Sequence, residues 1–173
     1  DILSLSATPI PRTLSFALSG LRDISVINTP PYGRIPIKTY VAKFDKAIVK
    51  NAINHELKRK GQIYFLHNRI GSIQKIVEDL KKLLPHAKIN FLHAKLPESE
   101  VIERMEMFSD RKIDVLVTTT IMENGLDFQN ANTLIVDNAT LLGLSQAHQI
   151  RGRIGRSDKQ AYAYFLYPSR KLP

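Results

Sequence analysis

At 173 residues the chain is long enough for one domain of ordinary size with its own core. A hydrophobic content of 43% with 24% charge excludes a disordered chain, and the lack of cysteine excludes disulfides and thiolate metal sites. Lys and Arg number 25 against 16 acidic residues, and the resulting +9 charge and pI near 9.8 favour a polyanionic partner such as nucleic acid.

In chain order, ILSL (2–5) and ISVI (24–27) read as strands, with a short helix between them that starts near Pro11 and stops near Gly20. INTPPYGRIP then packs three prolines and one glycine into ten residues, a loop and the best candidate boundary. After Pro36 strands and helices alternate. IKTYVA is a strand; residues 45–60 are helical, with Ala47, Ile48, Ala52, Ile53 and Leu57 on one face and Gly61 as the stop. QIYFLHN is a strand, and 71–84 is a helix through Ile73, Ile76, Val77, Leu80 and Leu84. KINFLHA is a strand, 97–109 a helix opened by Pro97, and DVLVTTT and NTLIVDN are strands. SQAHQIRG is a short helix and AYAYFLYP the last strand.

Strands that are apolar almost throughout, spaced by helices, predict an α/β domain with a mainly parallel sheet covered on both faces. Ligand chemistry in such sheets gathers at the carboxyl ends of the strands. The polar clusters HNR (67–69), HAK (93–95) and TTTIMENGLD (118–127) each follow a strand. No membrane-length apolar run and no leader-like start are present, so the expected location is the cytoplasm.

The pattern G-x-x-x-x-G-K-[ST] starts at none of the eight glycines, and G-x-G-x-x-G is missing too. Asp137, ending the strand TLIVDN, superficially resembles a magnesium ligand, but without a P-loop it reads as a strand-end residue. The segment QAHQIRGRIGR (146–156) sets Arg151, Arg153 and Arg156 around two glycines. Arginine's planar fork and constant charge suit it to phosphate, though such a segment could equally be a solvated or DNA-facing turn. Thr118, Thr119 and Thr120 could hold a nucleic-acid phosphate or simply serve strand propensity.

Taken in order, these segments resemble superfamily-two helicases. SATPIPRT resembles motif III, QIYFLHNR the motif IV region, TTTIMENGLD motif V and QAHQIRGRIGR motif VI. SATPIPRT with HQ-x-RGR-x-GR is similar to a narrow branch of double-stranded DNA translocases, one arm serving transcription-coupled repair and the other remodelling branched DNA. ALSGLRDISVINTPPYGR and ANTLIVDNA are closer to the repair arm.

The resemblance implies a motor of two RecA-like lobes with ATP and Mg²⁺ bound between them, held mainly by a first lobe that carries the P-loop. Residues 1–20 would end that first lobe, 21–35 would link the lobes, and 36–173 would form the second, inactive as an ATPase alone. It implies arginine-finger roles for Arg153 and Arg156, which should stand exposed. It implies nucleotide sensing by Gln149, Gly125 and Asp127, lobe coupling by Thr8 and Arg12, and DNA-backbone contact by Asn68, Arg69 and Thr118 to Thr120. The implied partners are double-stranded DNA, RNA polymerase and nucleotide-excision repair proteins. The alternatives are the branched-DNA helicase lobe, an RNA helicase lobe, and a non-enzymatic basic module that binds nucleic acid. Two positions depart from the family: Leu92-His93-Ala94 replaces a common Gly-His-Gly, and Asn124 a common Thr or Ser.

Overall fold

The computed structural model describes residues 35–119, 130–155 and 158–168. The expected elements at 2–5, 11–20 and 24–27, with Thr8, Arg12, Thr120, Asn124, Gly125, Asp127 and Arg156, lie outside the described residues.

Every element expected between Pro36 and Pro168 is present. The strands are β1 (Lys38–Lys43), β2 (Gln62–Leu66), β3 (Ile89–Leu92), β4 (Val115–Thr118), β5 (Ala131–Val136) and β6 (Tyr162–Tyr167). The helices are α1 (Lys46–Lys58), α2 (Ile73–Leu83), α3 (Glu98–Ser109) and α4 (Leu144–Arg151). The strands form one six-stranded sheet in the order β1-β6-β5-β2-β4-β3, and every pairing is parallel. Parallel neighbours need crossovers, and the four helices supply those from β1 to β2, β2 to β3, β3 to β4 and β5 to β6 while covering both faces.

The two faces hold separate cores. Val49, Ala52 and Ile53 of α1 and Ile73, Val77 and Leu80 of α2 pack with Ile63 and Phe65 of β2. On the other face Phe108 of α3 and Ala147 and Ile150 of α4 pack with Tyr64 and Leu66. Alternate residues of β2 thus feed alternate cores, as a pleated strand buried on both sides requires.

Two details of α1 differ from the sequence reading. Its buried face holds Val49, Ala52, Ile53 and Glu56, while Ala47 is exposed. Ala47 instead serves the helix start, where its N–H donates to the Asp45 carboxylate at 2.7 Å. The stop also works otherwise than expected: Lys60, with φ 58, takes the left-handed position, and the Gly61 N–H donates to the Glu56 carbonyl.

Glu56 is fully buried. It accepts from the Thr133 hydroxyl and from Arg59, each at 2.5 Å, and Arg59 also donates to the Gln160 carbonyl at 2.9 Å. This cluster ties α1 to the amino ends of β5 and β6. Gln62 makes the matching tie on the other face, its amide donating to the carbonyls of Phe108 at 2.6 Å and Ile113 at 2.7 Å. Both ties hold the end of the sheet opposite the candidate site.

Candidate nucleic-acid and nucleotide interface

The register of the sheet builds the site. Leu66, Leu92, Thr118 and Val136 lie side by side at the carboxyl ends of β2, β3, β4 and β5. The ladder continues one residue further, because His67 N–H donates to the Thr118 carbonyl, Thr119 N–H to that of Leu92 and Asp137 N–H to that of Leu66. The row that leaves the sheet is therefore Asp137, His67, Thr119 and His93, in the spatial order of their strands.

Asn68 and Arg69 follow directly, in a loop that ends in a 3-10 turn (Ile70–Ser72) before α2. Arg69 is exposed, and Asn68 is half-buried. Three polar atoms here are buried without a hydrogen-bond partner: Asn68 Oδ1, His93 Nδ1 and Thr119 Oγ1. Buried polar atoms are normally paired, so three orphans on adjacent strand ends mark a place suited to a polar ligand. Thr118 differs from Thr119. It is buried and its hydroxyl donates to the Thr119 carbonyl at 2.9 Å, so it serves the strand end itself.

His67 and Asp137 were not marked as site residues by the sequence. The His67 ring bridges two elements, with Nδ1 against Asp137 Oδ2 and Nε2 2.7 Å from Ser72 Oγ. The sequence offers His67 only within the HNR cluster and Asp137 only as a strand-end residue, with nothing to join the two, and Ser72 gives no signal.

The described part of the arginine segment is anchored through Ile154. Ile154 is fully buried against the core that receives α4. Arg151 donates to His148 Nδ1 at 3.2 Å. Arg153 is half-buried and engaged in a contact of its own, which corrects the expectation that it stands exposed; the buried Ile154 beside it draws the backbone inward. The two glycines also differ. Gly155 has φ +74 and lies against Ala161 and Ile37, whereas Gly152 is a helical C-cap with φ −66. Gln149 is exposed on α4. Among the described residues no three His, Asp or Glu side chains converge as a metal site, and no helix is long and apolar enough to cross a membrane.

A parallel RecA-like sheet with a polar strand-end row and an anchored arginine segment defines the second lobe of a superfamily-two helicase motor. The helicase conserved C-terminal domain matches residues 44–158, and the chain belongs to that family. The transcription-repair-coupling factor of Bacillus subtilis (strain 168) is 49% identical over 172 residues, and that of Staphylococcus aureus (strain USA300) is 48% identical. In both cases the match covers 99% of this chain and 15% of the relative. Among solved structures, RecG bound to a three-way DNA junction aligns with a TM-score of 0.75 and 34% identity, over 95% of this chain and 22% of that one. Domain 2 of the DEAD-box helicase Mss116p, bound to an RNA duplex, shares the fold at a TM-score of 0.61 and 16% identity, over 78% of this chain and 55% of that one.

Proposed function

We propose that this chain is the second motor lobe of an ATP-driven double-stranded DNA translocase acting in transcription-coupled repair. The whole-chain likeness to coupling factors supports the class, and the carboxyl-edge row supports the DNA contact. The carrying observation is that Thr119 Oγ1 and His93 Nδ1 lie buried and unpartnered at the same carboxyl edge of the sheet from which β2 leads into the exposed Arg69. Each can donate to a phosphate oxygen, and such contacts grip the backbone without reading bases, as stepping along any sequence requires.

In this reading Asn68, Arg69, Thr119 and Thr120 touch the DNA backbone, and Thr118 shapes the strand end beneath them. Arg153 and Arg156 face a nucleotide held by the P-loop of the first lobe. When water attacks the γ-phosphorus and the bond to the β-γ bridging oxygen breaks, they stabilise the charge on the leaving and transferred oxygens. Mg²⁺ bound with that nucleotide neutralises phosphate charge. Gln149, Gly125 and Asp127 sense the nucleotide, while Thr8 and Arg12 couple its state to lobe movement. RNA polymerase and excision-repair proteins are the partners of the longer cytoplasmic protein.

In the full-length protein, Arg153→Ala should lower DNA-stimulated ATP turnover by roughly 10³–10⁵ while ATP binding persists. Turnover within threefold of wild type, measured with saturating ATP and DNA, would refute the finger role.

A further inference from the structure

We propose that His67, held between Asp137 and Ser72, is a positioning residue that sets the DNA-binding geometry of the Asn68–Arg69 loop. The inference rests on the proposed backbone contact by that loop. His67 and Asp137 leave adjacent parallel strands, and each side chain is 11% exposed. The carboxylate only accepts, so Nδ1 donates to it, while Nε2 meets the Ser72 hydroxyl at 2.7 Å. Ser72 stands at the far end of the loop, where its N–H donates to the Arg69 carbonyl at 3.3 Å.

The chain from 67 to 72 is thus closed at both ends by one ring. His67 starts the loop, Ser72 ends it, and Asp137 fixes the ring to the neighbouring strand. Within this frame the Arg69 N–H donates to the His67 carbonyl at 2.9 Å, which folds the loop back on its own origin. Serine, histidine and carboxylate in this order hold an imidazole rigidly in hydrolases. Here the same rigidity orients a loop. An arginine on a flexible loop loses conformational entropy when it grips a phosphate, and fixing its backbone beforehand lessens that loss.

The test uses the full-length protein and a long random-sequence DNA duplex. It reads the DNA concentration giving half-maximal ATPase stimulation, the maximal rate at saturating DNA, and the thermal midpoint. His67→Ala and Ser72→Ala should each raise the half-maximal concentration about tenfold, with the maximal rate changed less than twofold. Ser72→Ala keeps the His67–Asp137 pair, so it decides the matter should His67→Ala fail to fold. In an Arg69→Ala background neither substitution should add a further effect. Fully multiplicative effects there would overturn the inference, since His67 would then act elsewhere than through Arg69. If Arg69→Ala weakens DNA stimulation while His67→Ala and Ser72→Ala do not, the inference falls and the proposed contact stands. If Arg69→Ala and Asn68→Ala both leave stimulation unchanged, the proposed contact fails, and the inference with it.

Discussion

At residue scale the glycines separate by what a methyl group would meet. A Cβ at Gly61 would lie 1.7 Å from Glu56 Oε1 and 2.6 Å from its carboxyl carbon. A carboxylate at a side-chain tip could ordinarily swing away, but Thr133 and Arg59 pin this one inside the core. Gly61→Ala should therefore cost roughly 3–5 kcal/mol, the scale of breaking a buried ion pair, as seen in urea unfolding of the 173-residue chain. At Gly155 the positive φ adds roughly 1–2 kcal/mol of strain, and the 3.0 Å approach to the Ala161 Cβ adds an overpacking cost. Gly152→Ala, in right-handed helical backbone with its nearest atom at 3.3 Å, should stay within about 1 kcal/mol of wild type. Glycines stand in the sequence where turns are expected, but nothing local shows that Gly61 makes room for a carboxylate whose partner, Thr133, lies 77 residues further along the chain.

Elements were the most legible level, because apolar period and flanking Pro and Gly act locally. Of the stripe expected at Ile73, Ile76, Val77, Leu80 and Leu84, Ile76 is half-buried and the other four are buried in the fold. Helix α1 shows the limit of that reading. Hydrophobicity placed Ala47 inside and ignored Glu56, whose burial depends on Arg59 and Thr133 and so on contacts across the fold. The strap from His67 to Asp137 was hidden for the same reason, since strand order decides that β2 and β5 are neighbours. Strand pairing also brings two tyrosines together at one edge, where Tyr40 of β1 stacks on Tyr164 of β6 with ring centroids 5.2 Å apart. Burial first, then Tyr40, Tyr162 and Glu56, raise the Tyr164 hydroxyl above its ordinary 10.0, against an opposing Arg59. With the folded value above the unfolded one, this stabilisation is complete below pH 10 and is lost as pH rises through the folded value. Tyr164→Phe should accordingly flatten the alkaline decline of the thermal midpoint; an unchanged alkaline limb would mean that another group governs it.

For the whole molecule, polarity of the sheet divides the surface more usefully than net charge does. A charge of +9 alone predicts attraction to any polyanion, with little regard to where each cation sits. The parallel sheet makes position matter. Arg69 follows the carboxyl end of β2, whereas Lys88 precedes the amino end of β3, where its N–H donates to the Asp114 carboxylate at 2.8 Å. Both side chains are exposed, and Arg69→Ala and Lys88→Ala each remove one positive charge. If the carboxyl edge carries the DNA, only Arg69→Ala removes a phosphate contact and the counterion released with it. The slope of log affinity for duplex DNA against log salt should then become shallower by about 1 for Arg69→Ala in the full-length protein, and should hold for Lys88→Ala. Equal loss of slope in the two variants would instead favour diffuse attraction by a basic module, and the translocase reading would lose its DNA-contact surface.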